Sequence, residues 1–133
     1  MRQRPALDMQ DVKRILAASE AEAGRHGWAV SIAVVDEGGH LLALLRLDGA
    51  PTVSAQIAPA KAHTAAVGKR ESRLYEEMIN QGRVSFLSVP GMDALLEGGV
   101  PILVDGECVG AVGVSGVKSA EDAQIARAGI AAL

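Results

Sequence analysis

The chain has 133 residues, of which 49% are hydrophobic and 2% aromatic, and its formal net charge is −3. This length fits one domain with its own core, and the apolar fraction argues against a disordered chain. The lack of a basic stripe and of stacking aromatics argues against a nucleic-acid partner. No apolar run is long enough for a bilayer span, and no apolar signal segment precedes Asp8. The single Cys108 excludes an internal disulfide and favours a reducing compartment, so we expect a cytoplasmic protein.

The first predicted element is a helix over Met9–His26, which follows a flexible tail at residues 1–6. Asp8 is a suitable N-cap, and Asp11 stands three residues later, as in a capping box. Apolar residues recur at helical spacing from Val12 onward. Glycines near residue 27 can adopt the left-handed conformation that ends a helix.

Two strands joined by a tight turn are predicted next. Val30, Ile32, Val34 and Val35 indicate a strand over Ala29–Asp36. Glu37-Gly38-Gly39 is predicted to be a turn, and His40–Leu47 the return strand. Both strands are almost continuously apolar, so both faces should be covered. For so small a chain, we expect helices on one face and another subunit on the other.

The middle of the chain is predicted to be helical and then irregular. An Ala-rich helix spans Thr52–Lys69, with Pro59 expected to kink it or restart it. A second helix covers Ser72–Asn80. The segment Gln81–Gly98 should be mostly irregular, with one helical turn at Met92–Glu97.

The last third predicts a second hairpin and a final helix. The strands are Val100–Val104 and Glu107–Val114, joined at Asp105-Gly106, with Pro101 indicating an edge strand or a strand start. A capping pattern at Ser119 opens the helix. Its inward residues are expected to be Ile125, Ala128 and Ala132. The element order predicts an α/β fold of the α+β type, a single domain over residues 1–133 whose antiparallel sheet is flanked by helices.

Three polar residues of the first hairpin are candidates for ligand binding. His40 opens a strand after the glycine turn, where an imidazole can ligate iron or transfer a proton, or can simply face solvent. Arg46 is a cation in an apolar strand and needs a partner. Asp48 would share its face in a continuing strand, so the two either form a structural pair or Arg46 grips the carboxylate of a ligand.

The Ala-rich helix carries two further candidates. Lys61 and His63 are two residues apart and must point to different faces, whereas Lys61 and Thr64 share one. If that shared face packs on the sheet, Lys61 either snorkels or binds an anion or a carbonyl. Gly99, with neighbouring glycines, leaves room for a ligand.

Familiar catalytic and metal motifs are absent. The glycines do not form a nucleotide-binding pattern at a strand-to-helix turn. No local zinc site, covalent haem motif or serine-nucleophile elbow occurs, so we predict no metal site. Cys108 is expected to be a small core residue.

Several segments together resemble the GlcG/HbpS family, which includes the C-terminal domain of PduO-type proteins. They are spread over nearly the whole chain, in the family's order. The segments are Ser31–Asp36 with Gly39-His40, Arg46–Ala50, Lys61–Ala66, Gly98–Ile102, Gly110–Gly116, and Glu121-Asp122.

The resemblance implies a profilin-like three-layer α/β/α fold with a central antiparallel sheet, and a symmetric homo-oligomer. It also implies a small-ligand-binding protein that binds or degrades haem. His40 or His63 would then coordinate iron, and Arg46 or Lys61 would pair with propionates. The alternative is an enzyme, a hydrolase or isomerase, acting on a small carboxylate at a subunit interface. There Arg46 would hold the carboxylate, and Lys61 or His63 would be catalytic.

Overall fold

Four helices and four strands make up the chain, and the computed structural model describes all residues, 1–133. The first half contains α1 (Met9–His26), β1 (Ser31–Asp36), β2 (Leu41–Arg46) and α2 (Ser54–Gly68). The second half contains α3 (Ser72–Asn80), β3 (Gly99–Val104), β4 (Glu107–Ser115) and α4 (Ser119–Ile130). The boundaries of α1 and α3 agree with the prediction.

The two predicted hairpins are neighbours in one antiparallel sheet. The strand order is β2-β1-β4-β3, so β1 and β4 are central and β2 and β3 form the edges. Pro101 lies on the edge strand β3, where a missing backbone donor is tolerated. The α+β architecture expected from the sequence is therefore confirmed.

Helices of the chain itself cover both faces of the sheet, which makes three layers. One face carries branched side chains of β1 and β4 that pack with Val12 and Ile15 of α1 and Ile125 of α4. The other face packs against α2 through a cluster of small residues, chiefly alanines, that includes Ala33 and Val35 of β1. For β1, helices far apart in the chain cover both faces, so the strand needs no other subunit. The prediction that another subunit covers part of the sheet stays open for β2, whose Leu41 and Leu44 are exposed.

Glycines allow α2 to lie directly on the sheet. A Cβ added at Gly113 of β4 would stand 2.1 Å from the Ala58 carbonyl oxygen, and one at Gly99 would stand 2.2 Å from the Lys61 carbonyl oxygen. The room that Gly99 leaves is thus occupied by the α2 backbone. No helix combines the length and hydropathy needed to cross a bilayer.

Local structure departs from the sequence prediction at four places. Helix α2 is continuous through Pro59, so the predicted restart was wrong, since its packing on β1 and β4 continues on both sides of the proline. The segment 92–97 contains no helical turn, and a short 3₁₀ helix lies earlier, at Val84–Ser88. Helix α4 has Lys118 as its N-cap, one residue before the predicted Ser119. Ala132 is exposed beyond the end of α4, where it cannot face the core.

Candidate functional site

His63 of α2 contacts the turn between β1 and β2. Its Nδ1 lies 3.0 Å from the carbonyl oxygen of Gly39. A carbonyl oxygen can only accept, so Nδ1 must carry the hydrogen and donate it. In the neutral ring the other nitrogen, Nε2, then keeps its lone pair. A half-buried imidazole fixed in this tautomer is the usual form of a metal-ligating histidine.

The turn is shaped to receive this imidazole. The Asp36 Oδ1 atom accepts hydrogen bonds from the backbone N–H groups of Gly38 and His40, at 2.9 Å each. Gly39 has a φ of 79°, which favours glycine. A Cβ at this position would stand 2.3 Å from His63 Nδ1. Glycine is therefore required both by the backbone conformation and by the close approach of the ring.

His40 lies at the same turn but faces solvent. Its side chain is 82% exposed, and its Nδ1 stands 3.4 Å from Asp36 Oδ1. The structure thus brings together His40 and His63, which are 23 residues apart in sequence. His63 bonds the carbonyl oxygen of Gly39, and His40 is the residue that follows Gly39. His63 is the more restrained of the two, because it is half-buried and bonded to backbone.

A strip of the sheet beside α2 is left uncovered. Leu44 pairs with Ala33 and Leu41 with Val35, and both partners pack against α2. Directly opposed residues share a sheet face, so the two leucines lie on the α2 side of the edge strand β2. They are 53% (Leu41) and 40% (Leu44) exposed. We call Leu41, Leu44 and Arg46 the β2 ledge.

Arg46 closes the far end of the β2 ledge. It pairs with Ser31, whose hydroxyl bonds Ser54 of α2, so Arg46 also lies on the α2 side. Arg46 is exposed and forms no ion pair within the chain. Of the two alternatives for Arg46, the structural pair with Asp48 does not form, because β2 ends at Arg46 and Asp48 lies in the following turn.

Lys61 points away from His63 and is buried in an ion pair. Its Nζ donates to Asp122 Oδ2 of α4 at 3.1 Å and to the Val114 carbonyl oxygen at 3.0 Å. The two side chains are only 3% and 2% exposed. Asp122 Oδ1 also accepts from the Val117 N–H at 3.2 Å. Burial raises the pKa of Asp122 above its ordinary value, and the neighbouring Lys61 ammonium opposes that rise.

The carboxylate that Lys61 meets therefore belongs to its own chain. Lys61 and Thr64 do share a face, as predicted, and Thr64 donates to the Asp93 carbonyl oxygen. This geometry gives no support to Lys61 as a contact for an external anion or as a catalytic base. The catalytic role of Lys61 stays a prediction, and its buried side chain has no route to solvent.

The two cavities of the structure lie elsewhere. One of about 380 Å³ adjoins α3, and one of about 230 Å³ lies near the N-terminal segment, and none of the predicted site residues lines either. No group of three or more His, Cys, Asp or Glu side chains is arranged to hold a metal ion. Cys108 is buried with its Sγ near the Ala66 and Gly110 carbonyl oxygens, which agrees with a core role.

Two partners of the site were missed from the sequence. Asp122 had no detectable link to Lys61, since it lies 61 residues away in another helix. Gly39 was read only as a turn residue, although its carbonyl fixes His63. The signal available for Gly39 was the doubled glycine ahead of a histidine, and it did not indicate which side chain would approach.

The fold has three layers, with the sheet between helices, and His63 and the β2 ledge both lie on the α2 side of that sheet. The chain belongs to the HbpS-like family, whose description is "Haem degrading protein HbpS-like" and whose family model matches residues 7–131. The chain is 50% identical over 115 residues to Protein GlcG of Escherichia coli strain K12. That alignment covers 86% of this chain and 85% of GlcG.

Solved structures have the same fold. A double mutant of HbpS from Streptomyces reticuli superimposes with a TM-score of 0.90 at 33% identity, and the match covers 100% of this chain and 90% of that one. A complex of PduOC with haem superimposes with a TM-score of 0.87 at 28% identity, covering 97% and 96%.

Proposed function

We propose that this chain binds haem at the corner where α2 meets the β1–β2 turn, with His63 as the axial ligand. The observation that carries the proposal is the hydrogen bond from His63 Nδ1 to the Gly39 carbonyl oxygen. This bond leaves the lone pair of Nε2 free to coordinate iron, in a ring that is already oriented. The haem-bound PduOC relative and the family description support the same ligand class.

The residues around His63 fit such a group. Haem presents a flat apolar ring, and the β2 ledge offers Leu41 and Leu44 as exposed apolar surface next to the turn. Val67 lies one helical turn after His63 on α2 and is also exposed. When bound, the iron would supply the redox or gas-binding chemistry. The chain itself supplies an oriented imidazole and an apolar wall.

Arg46 is the cation available for the propionates. It is exposed, has no carboxylate partner in the chain, and lies on the same sheet face as the leucines. A guanidinium can grip a carboxylate through two parallel hydrogen bonds. Lys61 is unavailable for this role because Asp122 already neutralises it.

Hemin titration of the purified protein tests the proposal. We expect a saturable shift of the Soret band, which His63→Ala abolishes or weakens strongly and which added imidazole restores. His26→Ala is the matched control, because His26 stacks on Trp28 at the end of α1, on the other side of the sheet. His40→Ala separates the two histidines of the turn and should leave the axial ligand in place.

The outcomes are distinct. If His63→Ala binds hemin with unchanged affinity and spectrum while His40→Ala does not, the axial ligand is His40. If neither substitution changes the spectrum, haem binding at this corner is wrong. The enzyme alternative had two candidate catalytic residues. Lys61 is buried and paired, which leaves His63 alone to support that alternative.

We also propose that the chain forms a homo-oligomer. Both edge strands carry exposed leucines, Leu41 and Leu44 on β2 and Leu103 on β3. Unpaired sheet edges with apolar side chains favour association. Light scattering coupled to size exclusion tests this directly: a monomer at micromolar concentration would contradict it. The cytoplasmic location stays a prediction.

A further inference from the structure

The larger cavity is lined by none of the predicted site residues and has a chemistry of its own. It measures about 380 Å³, within the size range of small-molecule sites. Its walls are α3, the 3₁₀ helix and the chain that follows it. Most of its lining is apolar, with Ile79, Leu87 and Met92 among the side chains. The polar lining consists of Glu76, Asn80 and Asp93.

The wall opposite α3 is irregular chain, yet it is held at three points. Thr64 Oγ1 donates to the Asp93 carbonyl oxygen at 2.5 Å, and Ser72 Oγ donates to the Leu96 carbonyl oxygen. Glu76 Oε1 accepts from the Glu97 N–H at 2.8 Å. These bonds tie the segment to α2 and α3, so the cavity is formed before any ligand arrives.

The charge in the cavity has one sign. Glu76 and Asp93 line it and no cationic side chain does. The first oxygen of Glu76 is used by Glu97, while its Oε2 makes no hydrogen bond or ion pair within the chain. The nearby Arg73 is already bonded to Glu77, with Glu71 at 3.8 Å. The cavity therefore disfavours an anion and favours a cation.

We propose that this cavity is a second ligand site, for a small organic ammonium ion with an apolar chain. The ammonium group would face Glu76, and the hydrocarbon would replace water against Ile79, Leu87 and Met92. Neither haem nor a small carboxylate suits the cavity, since both would bring negative charge beside two carboxylates. The site is independent of the haem proposal and uses none of its residues.

Hexylammonium and hexanoate are a matched pair of probes, because they share an apolar chain length and differ in charge. We expect hexylammonium to shift amide resonances of residues 76–80 and 92–97 saturably in a two-dimensional NMR titration. Glu76→Gln should weaken that binding at least about tenfold, since a charge-assisted hydrogen bond is lost. Glu77→Gln is the control, because Glu77 is the adjacent residue and does not line the cavity.

Four results would overturn the proposal, and three of them come from the two probes. Those three are hexanoate binding as tightly as hexylammonium, Glu76→Gln binding hexylammonium unchanged, and shifts that never saturate or that scatter over the whole chain. Hemin titration of Glu76→Gln should match the wild type. A lost Soret shift in that variant would place haem at this cavity and remove the separate site.

Discussion

The buried Lys61–Asp122 pair gives the sharpest stability prediction. Lys61→Met keeps the apolar volume of the side chain but leaves the Asp122 carboxylate with the Val117 N–H alone and the Val114 carbonyl oxygen without its donor. Removing one member of a buried pair costs about 3–5 kcal/mol. A chain of this length has about 7–20 kcal/mol of unfolding free energy, so the variant should still fold.

The loss should depend on pH in a defined direction. Burial already raises the pKa of Asp122, and without the Lys61 ammonium that pKa must rise further. Between the ordinary Asp pKa of 3.8 and the raised pKa of Asp122, the folded state holds a proton that the unfolded state has released. The unfolding free energy of Lys61→Met therefore falls as pH rises through that range. The difference in unfolding free energy between variant and wild type should therefore narrow as pH falls from 7 toward the ordinary Asp pKa of 3.8.

Urea unfolding followed by circular dichroism at pH 7 and pH 5 measures both effects. Arg73→Met, which breaks the exposed contact with Glu77, is the control and should change the midpoint little. The double variant Lys61→Met with Asp122→Leu should regain most of the loss, because apolar replacement of a buried pair is often near neutral. A loss below about 1 kcal/mol for Lys61→Met, or a double variant as unstable as the sum of the singles, would refute the reasoning.

Three further predictions concern the turn, the sheet and α1. Gly39→Ala should weaken hemin binding and lower the unfolding free energy by about 1 kcal/mol or more, because its φ is 79° and the new Cβ would displace His63; hemin titration and urea unfolding check both. Gly113→Ala should cost about 1–3 kcal/mol in urea, since the added methyl group would meet the α2 backbone. Hydrogen bonds from Gln124, the largest cause, and from Arg25 lower the pKa of Glu22 to about 2. The contribution of Glu22 to the unfolding free energy is therefore full above pH 4.5 and is lost as pH falls toward 2. Glu22→Gln should therefore flatten the fall in urea midpoint between pH 5 and pH 3, and an unchanged slope would contradict this.

Local signals in the sequence accounted for most of the architecture. The Asp8–Asp11 capping box forms as predicted, with both backbone N–H groups bonded. The Asp105-Gly106 turn joins β3 to β4, because its residues accept positive φ. These features depend on residues within a few positions of one another, which a single sequence displays.

Contacts between distant segments were not accessible in the same way. The pairing of β1 with β4 follows from packing of the whole sheet, and no local sequence signal predicts it. Arg46 and Lys61 are both cations in apolar surroundings, yet one is exposed and unpaired and the other is buried and neutralised. The sequence shows the same pattern in both cases. The two cations differ because Arg46 lies on the edge strand β2, whereas Lys61 lies where α4 supplies Asp122.

The interface under α2 consists mostly of alanine and glycine, which have no side-chain rotamers to lose. A ligand that binds beside this helix therefore costs almost no side-chain conformational entropy in the residues that lie beneath the helix. The entropy lost on association should come from the exposed residues alone, and the imidazole beside Gly39 has already lost most of its own freedom.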